Sequence, residues 1–207
     1  MARRCLEWCS AWTRRQWLSG SLEKLMRISH IAIRNFRNFQ NLDIDLAEHA
    51  VIVGENKIGK SNLLFALRLL LDPSLPDSAR QLKEEDFWDG LPRPLTKLDV
   101  ISIAVNFTDF SDDVKGLAVL GEFLVSTEPM VARLTYVFGP KQDGEGEPKE
   151  SDYEFFFYGA DKPENRIGTD FRRRLPLDLL PALRDAEGDL ANWRCSPLRP
   201  LLEEVSG

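Results

Sequence analysis

The amino-acid sequence predicts an α/β fold with an antiparallel β element. Three observations point to it. The apolar run 49–53 leads through Gly54-Glu55-Asn56-Lys57-Ile58-Gly59-Lys60-Ser61 into the leucine-rich run 62–71, the pattern of a strand, a glycine loop and a helix. Apolar and polar residues alternate at 28–36 and 42–46 before that unit, and again at 98–107 and 131–138 after it. A polar, glycine-rich stretch at 141–150 separates the last of these from an aromatic run at 153–158, which reads as a hairpin.

In chain order, residues 1–25 stand apart from the rest of the chain. They hold Trp8, Trp12, Trp17, Cys5 and Cys9. Cys5, Leu6, Trp8, Cys9 and Trp12 fall on one helical stripe, compatible with a membrane-surface or partner-docking helix or with a thiol pair at Cys5 and Cys9. The simpler expectation is an N-terminal extension, loose or helical, ahead of Met26. From Met26 the pattern sharpens. Ile31 and Ile33 share one face of a first strand, Arg37-Asn38-Phe39 is a turn, and Leu42, Ile44 and Leu46 alternate with Asn41, Asp43 and Asp45 in a second strand with one wet face. His30 and His49 are expected to be strand or turn residues, because no Cys, Asp or Glu cluster supports a metal or catalytic reading at ligand spacing.

After the loop, Leu63, Leu64, Leu67, Leu70 and Leu71 give the helix a wide apolar face, and Asp72-Pro73 ends it. The stretch 73–94 is expected to be irregular, with Lys83-Glu84-Glu85-Asp86 as a solvated loop rather than a metal-binding cluster. Ile101, Ile103, Val105 and Phe107 form the apolar face of a third strand. Ser111 is the expected N-cap of a helix reaching about residue 125. Ala132, Leu134, Tyr136 and Phe138 are expected to face inward on the next strand. Arg172-Arg173-Arg174 reads as a solvated basic patch, and 176–207 as short helices.

Composition narrows the function. The 207 residues carry a formal net charge of −6 and are 43% apolar, a globular make-up without a general basic surface for nucleic acid. No apolar run reaches the ~18 residues needed to cross a bilayer. Three cysteines do not make a disulfide framework, so a reduced, cytoplasmic setting is the expectation.

The loop carries the chemistry. It fits G-x-x-x-x-G-K-[ST], in which glycines let the backbone close around an anion and successive N–H groups point inward. The helix start adds its positive dipole end. Lys60 is placed to reach the β- and γ-phosphates of a nucleotide, and the Ser61 hydroxyl to bind Mg²⁺, a hard cation that prefers oxygen.

Two stretches together resemble the start of SMC-like and RecF-like ATPases: Met26-Arg27-Ile28-Ser29-His30-Ile31-Ala32-Ile33-Arg34-Asn35-Phe36-Arg37-Asn38-Phe39, and Gly54 through Asn62. Within that group the sequence is most similar to the OLD family of ATP-dependent nucleases. Leu71-Asp72-Pro73-Ser74-Leu75-Pro76, Glu85-Asp86-Phe87-Trp88 and Leu179-Leu180-Pro181-Ala182-Leu183-Arg184-Asp185 add to the likeness, which covers 26–207. The resemblance implies a P-loop NTPase of the ABC type: an ATPase N-terminal lobe that binds ATP and Mg²⁺ and pairs with a second head. DNA is the partner expected for a full-length parent, and no membrane is.

By position, the resemblance carries Gly54, Glu55, Asn56, Lys57, Ile58, Gly59, Lys60, Ser61 and Asn62 over as nucleotide contacts, with Arg34 and Asn35 near nucleotide or partner. Parts of the family pattern are missing from the sequence: a signature motif after the loop, a Walker B strand ending in Asp-Glu, a switch histidine and a Toprim acid cluster. Leu18-Ser19-Gly20 resembles a signature start but precedes the loop, and Gln142 sits in a turn. The expectation is therefore an incomplete head, the N-terminal part of an ATP-dependent endonuclease, without catalytic residues of its own. Two rivals remain. One is a small self-contained P-loop kinase or GTPase, although an Asn-Lys-x-Asp base-reading motif is missing. The other is a non-enzymatic module in which ATP gates association.

Overall fold

The computed structural model describes residues 26–55, 58–141, 148–168 and 171, all within one compact unit. Residues 1–25, Gln142, Arg172–Arg174 and 176–207, on which several sequence expectations fall, lie outside the described residues.

The unit is built on one antiparallel sheet. Its strands are β1 (Arg27–Phe36), β2 (Phe39–Asp45), β3 (Ile101–Thr108), β4 (Leu124–Thr127), β5 (Met130–Pro140) and β6 (Tyr153–Gly159). The order is β2-β1-β3-β5, and beyond β5 the edge is shared by β4, against its start, and β6, against the rest. The β1–β2 hairpin expected ahead of the loop is present, with Ile33 opposite Leu42 and Phe36 opposite Phe39. Alternation sets the faces. Ile31, Ile33, Ile101, Ile103, Val105, Leu134, Tyr136 and Phe138 are buried on one side. A one-residue register slip would turn this whole set to water, so the apolar pattern fixes the pairing.

Helix α1 (Lys60–Leu71) lies between β2 and β3 in the chain and belongs to this core through Leu63, Ala66, Leu69, Leu70 and Leu71. Leucines, branched at Cγ and not at Cβ, favour the helix, and burial of each leucine contributes roughly 1.5–3 kcal/mol. Leu64, expected on the apolar face, is exposed.

The helix stops as the sequence predicts. Asp72 precedes Pro73 and adopts an extended conformation, and its carboxylate turns back to accept from Ser74 N at 2.9 Å and Arg68 Nε at 3.0 Å. The end is then sealed by a residue the sequence did not single out. Arg80, on the short helix α2 (Asp77–Arg80), is 2% exposed and donates to the carbonyls of Leu69 (3.0 Å), Asp72 and Leu75. The Tyr136 hydroxyl on β5 donates to the Arg80 carbonyl at 2.7 Å, tying this helix end to the sheet.

Two expectations are corrected. The run 49–53 is not a strand. Val51, Ile52 and Val53 are 85, 46 and 87% exposed, in coil. β-branched residues favour strands through packing on neighbours, and no described strand pairs with this run. The helix expected over 111–125 is shorter. Helix α3 (Val114–Leu120) gives way at Gly121 to a 3-10 turn, and the chain enters β4. The residues around 124–127 pair with the start of β5, so edge hydrogen bonds replace the helical ones. Within the irregular 73–94 stretch the structure adds α2 and a 3-10 turn at Glu84–Asp86.

Candidate functional site

The glycine loop joins β2 to α1. Gly59 takes φ 110°, in the left-handed region that favours glycine, and its carbonyl accepts the first helical bond from Leu63 N at 2.9 Å. A Cβ here would also stand 2.9 Å from Asn38 Cγ and Oδ1. The dihedral therefore favours glycine, as the phosphate-loop pattern demands, and a Cβ would in addition have to displace the Asn38 amide. Lys60 begins the helix, and its Nζ turns back across the loop to donate to the carbonyls of Gly54 (2.5 Å) and Glu55 (2.6 Å). The ammonium thus sits against the loop itself. Ser61 follows, exposed in the first turn of the helix. A glycine-tight turn, a helix N-terminus and a lysine drawn over both are the donor set that an anionic phosphate chain fits. A hydroxyl beside it fits Mg²⁺. Asn56 and Lys57 lie outside the described residues.

The turn between β1 and β2 buttresses the loop. Asn38 Nδ2 donates to the Ile58 carbonyl at 3.2 Å, and Asn62 Nδ2 donates to Asn38 Oδ1 at 2.7 Å. Arg37 donates from Nη1 to Asn62 Oδ1 at 2.9 Å and from Nε to Asp86 Oδ1 at 2.9 Å. Its guanidinium also stacks over the rings of Phe65 (4.6 Å) and Phe36 (5.2 Å). Asp86 therefore departs from the solvated-loop reading. It is held beside the hairpin by the antiparallel bridge between Phe36 and fully buried Phe87, and its backbone carbonyl accepts from Arg37 N at 2.8 Å. Neighbouring Glu84 remains exposed and pairs with Arg93.

Arg34 and Asn35 occupy different settings from the loop residues. Asn35 has φ 55°, and its amide donates to the Val100 carbonyl at 3.0 Å, bracing β1 against the approach to β3. Arg34 is exposed on the sheet face opposite the core. There a groove of 540 Å³ runs over Ala32, Ser102 and Ala104 and is edged by Arg34, Arg133 and Asp161. His30 lines the same groove and meets Asp45 through Nδ1 at 2.8 Å, a strand histidine as expected. No group of three or more metal-ligating residues occurs among the described residues. No helix among them is long and apolar enough to cross a membrane.

Sequence reasoning located the loop but read Arg37-Asn38 only as a turn. The available signal was the placement of two polar residues at a hairpin tip immediately before a glycine loop. Their partner Asp86 is remote in sequence, which hid the arrangement.

Comparison with known proteins bears on the same region. Residues 26–175 match the family described as AAA ATPase domain. The endonuclease GajA of Bacillus cereus (strain VD045) is 52% identical over 50 residues, 24% of this chain and 9% of that protein. The DNA replication and repair protein RecF of Listeria welshimeri is 40% identical over 67 residues, 31% of this chain and 17% of RecF. The Old nuclease of Escherichia phage P2 is 31% identical over 84 residues, 41% of this chain and 13% of the nuclease. Each alignment thus spans a small part of the relative's length. A solved chain from work on ATP-driven dimerization and DNA-stimulated activation of SMC ATPases superposes with a TM-score of 0.45 at 17% identity, covering 84% of this chain and 95% of that one.

Proposed function

The chain belongs to the AAA ATPase domain family, and from that premise we propose that it is an OLD- and RecF-like ABC-type N-terminal portion whose phosphate loop binds Mg-ATP on behalf of an ATP-dependent DNA endonuclease. Binding would control the pairing of this head with a second one, and through it DNA processing or defence. Residues 26–207 form the ATPase portion in this reading, and 1–25 an extension. The missing signature, Walker B and Toprim elements would come from other parts of the assembly.

The observation that carries the reading is the geometry around Lys60. Its ammonium already lies over the loop, bonded to the Gly54 and Glu55 carbonyls, and needs only to exchange those neutral acceptors for phosphate oxygens. A charged acceptor makes the stronger hydrogen bond. Gly59 and the first turn of α1 supply backbone donors at the same end. The Ser61 hydroxyl supplies a hard oxygen for Mg²⁺, which when bound neutralises charge on the β- and γ-phosphates. Asn62 contributes through Asn38 and Arg37.

Titration calorimetry tests the assignment. The wild-type chain should bind Mg-ATP, and Lys60→Ala should weaken binding well over tenfold, about 1.4 kcal/mol or more. Equal affinity for the two proteins overturns the reading.

A further inference from the structure

We propose that Arg37, anchored by Asp86, is a positioning residue that fixes the orientation of the Ile58–Gly59 peptide in the phosphate loop. The inference rests on the nucleotide-binding reading above but acts on the loop before any nucleotide arrives.

Hydrogen-bond polarity sets the direction of the relay. A guanidinium can only donate. Asn62 must therefore turn its carbonyl oxygen toward Arg37 Nη1, as it does at 2.9 Å. That leaves its amide nitrogen for Asn38, whose oxygen accepts at 2.7 Å. Asn38 is then left with its own nitrogen facing the Ile58 carbonyl, at 3.2 Å. Either asparagine alone could flip, since its two ends are nearly the same shape. The arginine removes that freedom, and the polarity runs one way from Asp86 to the loop.

The far end of this relay matters for anion binding. In a trans peptide the C=O and the following N–H point in opposite directions. Holding the Ile58 carbonyl toward Asn38 therefore directs the Gly59 N–H away from the hairpin. Gly59 is the residue least able to hold one orientation by itself, because glycine lacks the Cβ that restricts other residues.

The source of the relay is well fixed. The second carboxylate oxygen of Asp86 accepts from Lys83 N at 3.0 Å, so both oxygens are engaged. Phe87 beside it is fully buried, with its ring 5.9 Å from that of Phe138. Arg37 is thus held by backbone, carboxylate and two aromatic rings, while its Nη1 donates to Asn62 at the start of the relay.

Two measurements on the full chain test the proposal. In nucleotide-free protein, amide NMR should show the Gly59 resonance shifted or broadened in both Asn38→Ala and Arg37→Met, while resonances of β5 stay in place. In calorimetry each variant should bind Mg-ATP about tenfold more weakly than wild type, and the double variant should lose no more than the weaker single one, because both release the same peptide. Additive losses would mean that Arg37 acts on nucleotide directly, and would overturn the proposal. An unmoved Gly59 resonance would overturn it as well. If wild type binds no Mg-ATP, the nucleotide-binding reading falls, and the Gly59 resonance still decides whether the relay orients the peptide.

Discussion

Asn38 fills the space that a Cβ on Gly59 would need, with its Cγ and Oδ1 2.9 Å from that position. Hairpin tip and phosphate loop are therefore in direct contact at Gly59, where φ is 110°. Gly59→Ala should cost roughly 1–3 kcal/mol from the backbone alone, and the collision adds to it. Adding Asn38→Gly should recover the collision but not the dihedral strain. Urea denaturation of wild type, Gly59→Ala and the double variant checks this. Full recovery in the double variant would show that the dihedral is not costly.

Arg80 closes the end of α1 from inside the core. Arg80→Leu leaves the Leu69, Asp72 and Leu75 carbonyls without that donor. The expected loss is about 3 kcal/mol or more, since each unsatisfied buried acceptor costs ~1–3 kcal/mol. Tyr136→Phe removes only the bond to the Arg80 carbonyl and should cost about 1 kcal/mol. Chemical denaturation should rank the two variants in that order, with ATP affinity at the distant loop unchanged in Tyr136→Phe.

Asp72 gives the fold an acid-sensitive contact. Burial alone would raise its carboxyl pKa, but the hydrogen bonds from the Ser74 hydroxyl, Arg68 and the Ser74 backbone outweigh it and hold the carboxyl below its ordinary value. A depressed carboxyl stabilises the fold fully above its unfolded pKa, and that contribution is lost as pH falls through the folded one. Melting temperature followed from pH 7 to pH 2 should therefore fall less steeply in Asp72→Asn than in wild type below about pH 4. Parallel acid limbs would show that Asp72 contributes nothing to the linkage.

The chain by itself should bind ATP without useful turnover. Phosphoryl transfer needs a group that orients the attacking water as well as a phosphate cradle. Two acids near α1 are already engaged, Asp86 with Arg37 and Lys83 N, Asp72 with Arg68 and Ser74. A phosphate-release assay should give background values equal to those of Lys60→Ala. Steady release near ~1 s⁻¹, abolished in Lys60→Ala, would instead show a complete enzyme and favour a small self-contained ATPase or kinase.

Legibility in the sequence followed the range of the interaction. Alternation in β3 and β5 is local, so Ile101–Phe107 and Ala132–Phe138 could be assigned to a core face directly, and their burial agrees. The end of α1 at Asp72-Pro73 is equally local. Val51–Val53 has the right residues for a strand, but pairing depends on a neighbour that the residues themselves do not encode. β4 was absorbed into a helix because Leu117–Val125 is apolar at both periods, and only the free edge of β5 decides between them. At the site, glycine spacing revealed the loop, whereas Arg80 and the Asp86–Arg37 pair join residues far apart in sequence and leave no periodic trace.

The place of β1 in the sheet has a consequence for how the molecule assembles. Ile33 pairs with Leu42 across a tight hairpin on one edge and with Ile103 on the other, beyond the whole loop-and-helix excursion. The hairpin can form as soon as it leaves the ribosome, but its second edge must wait until β3 has been synthesised. Contacts of such long range slow folding, and an open apolar edge invites pairing with other chains meanwhile. Conditions that slow elongation between residues 46 and 100 should thus lower soluble yield more than the same delay placed after β6, where the strands of the sheet are already made.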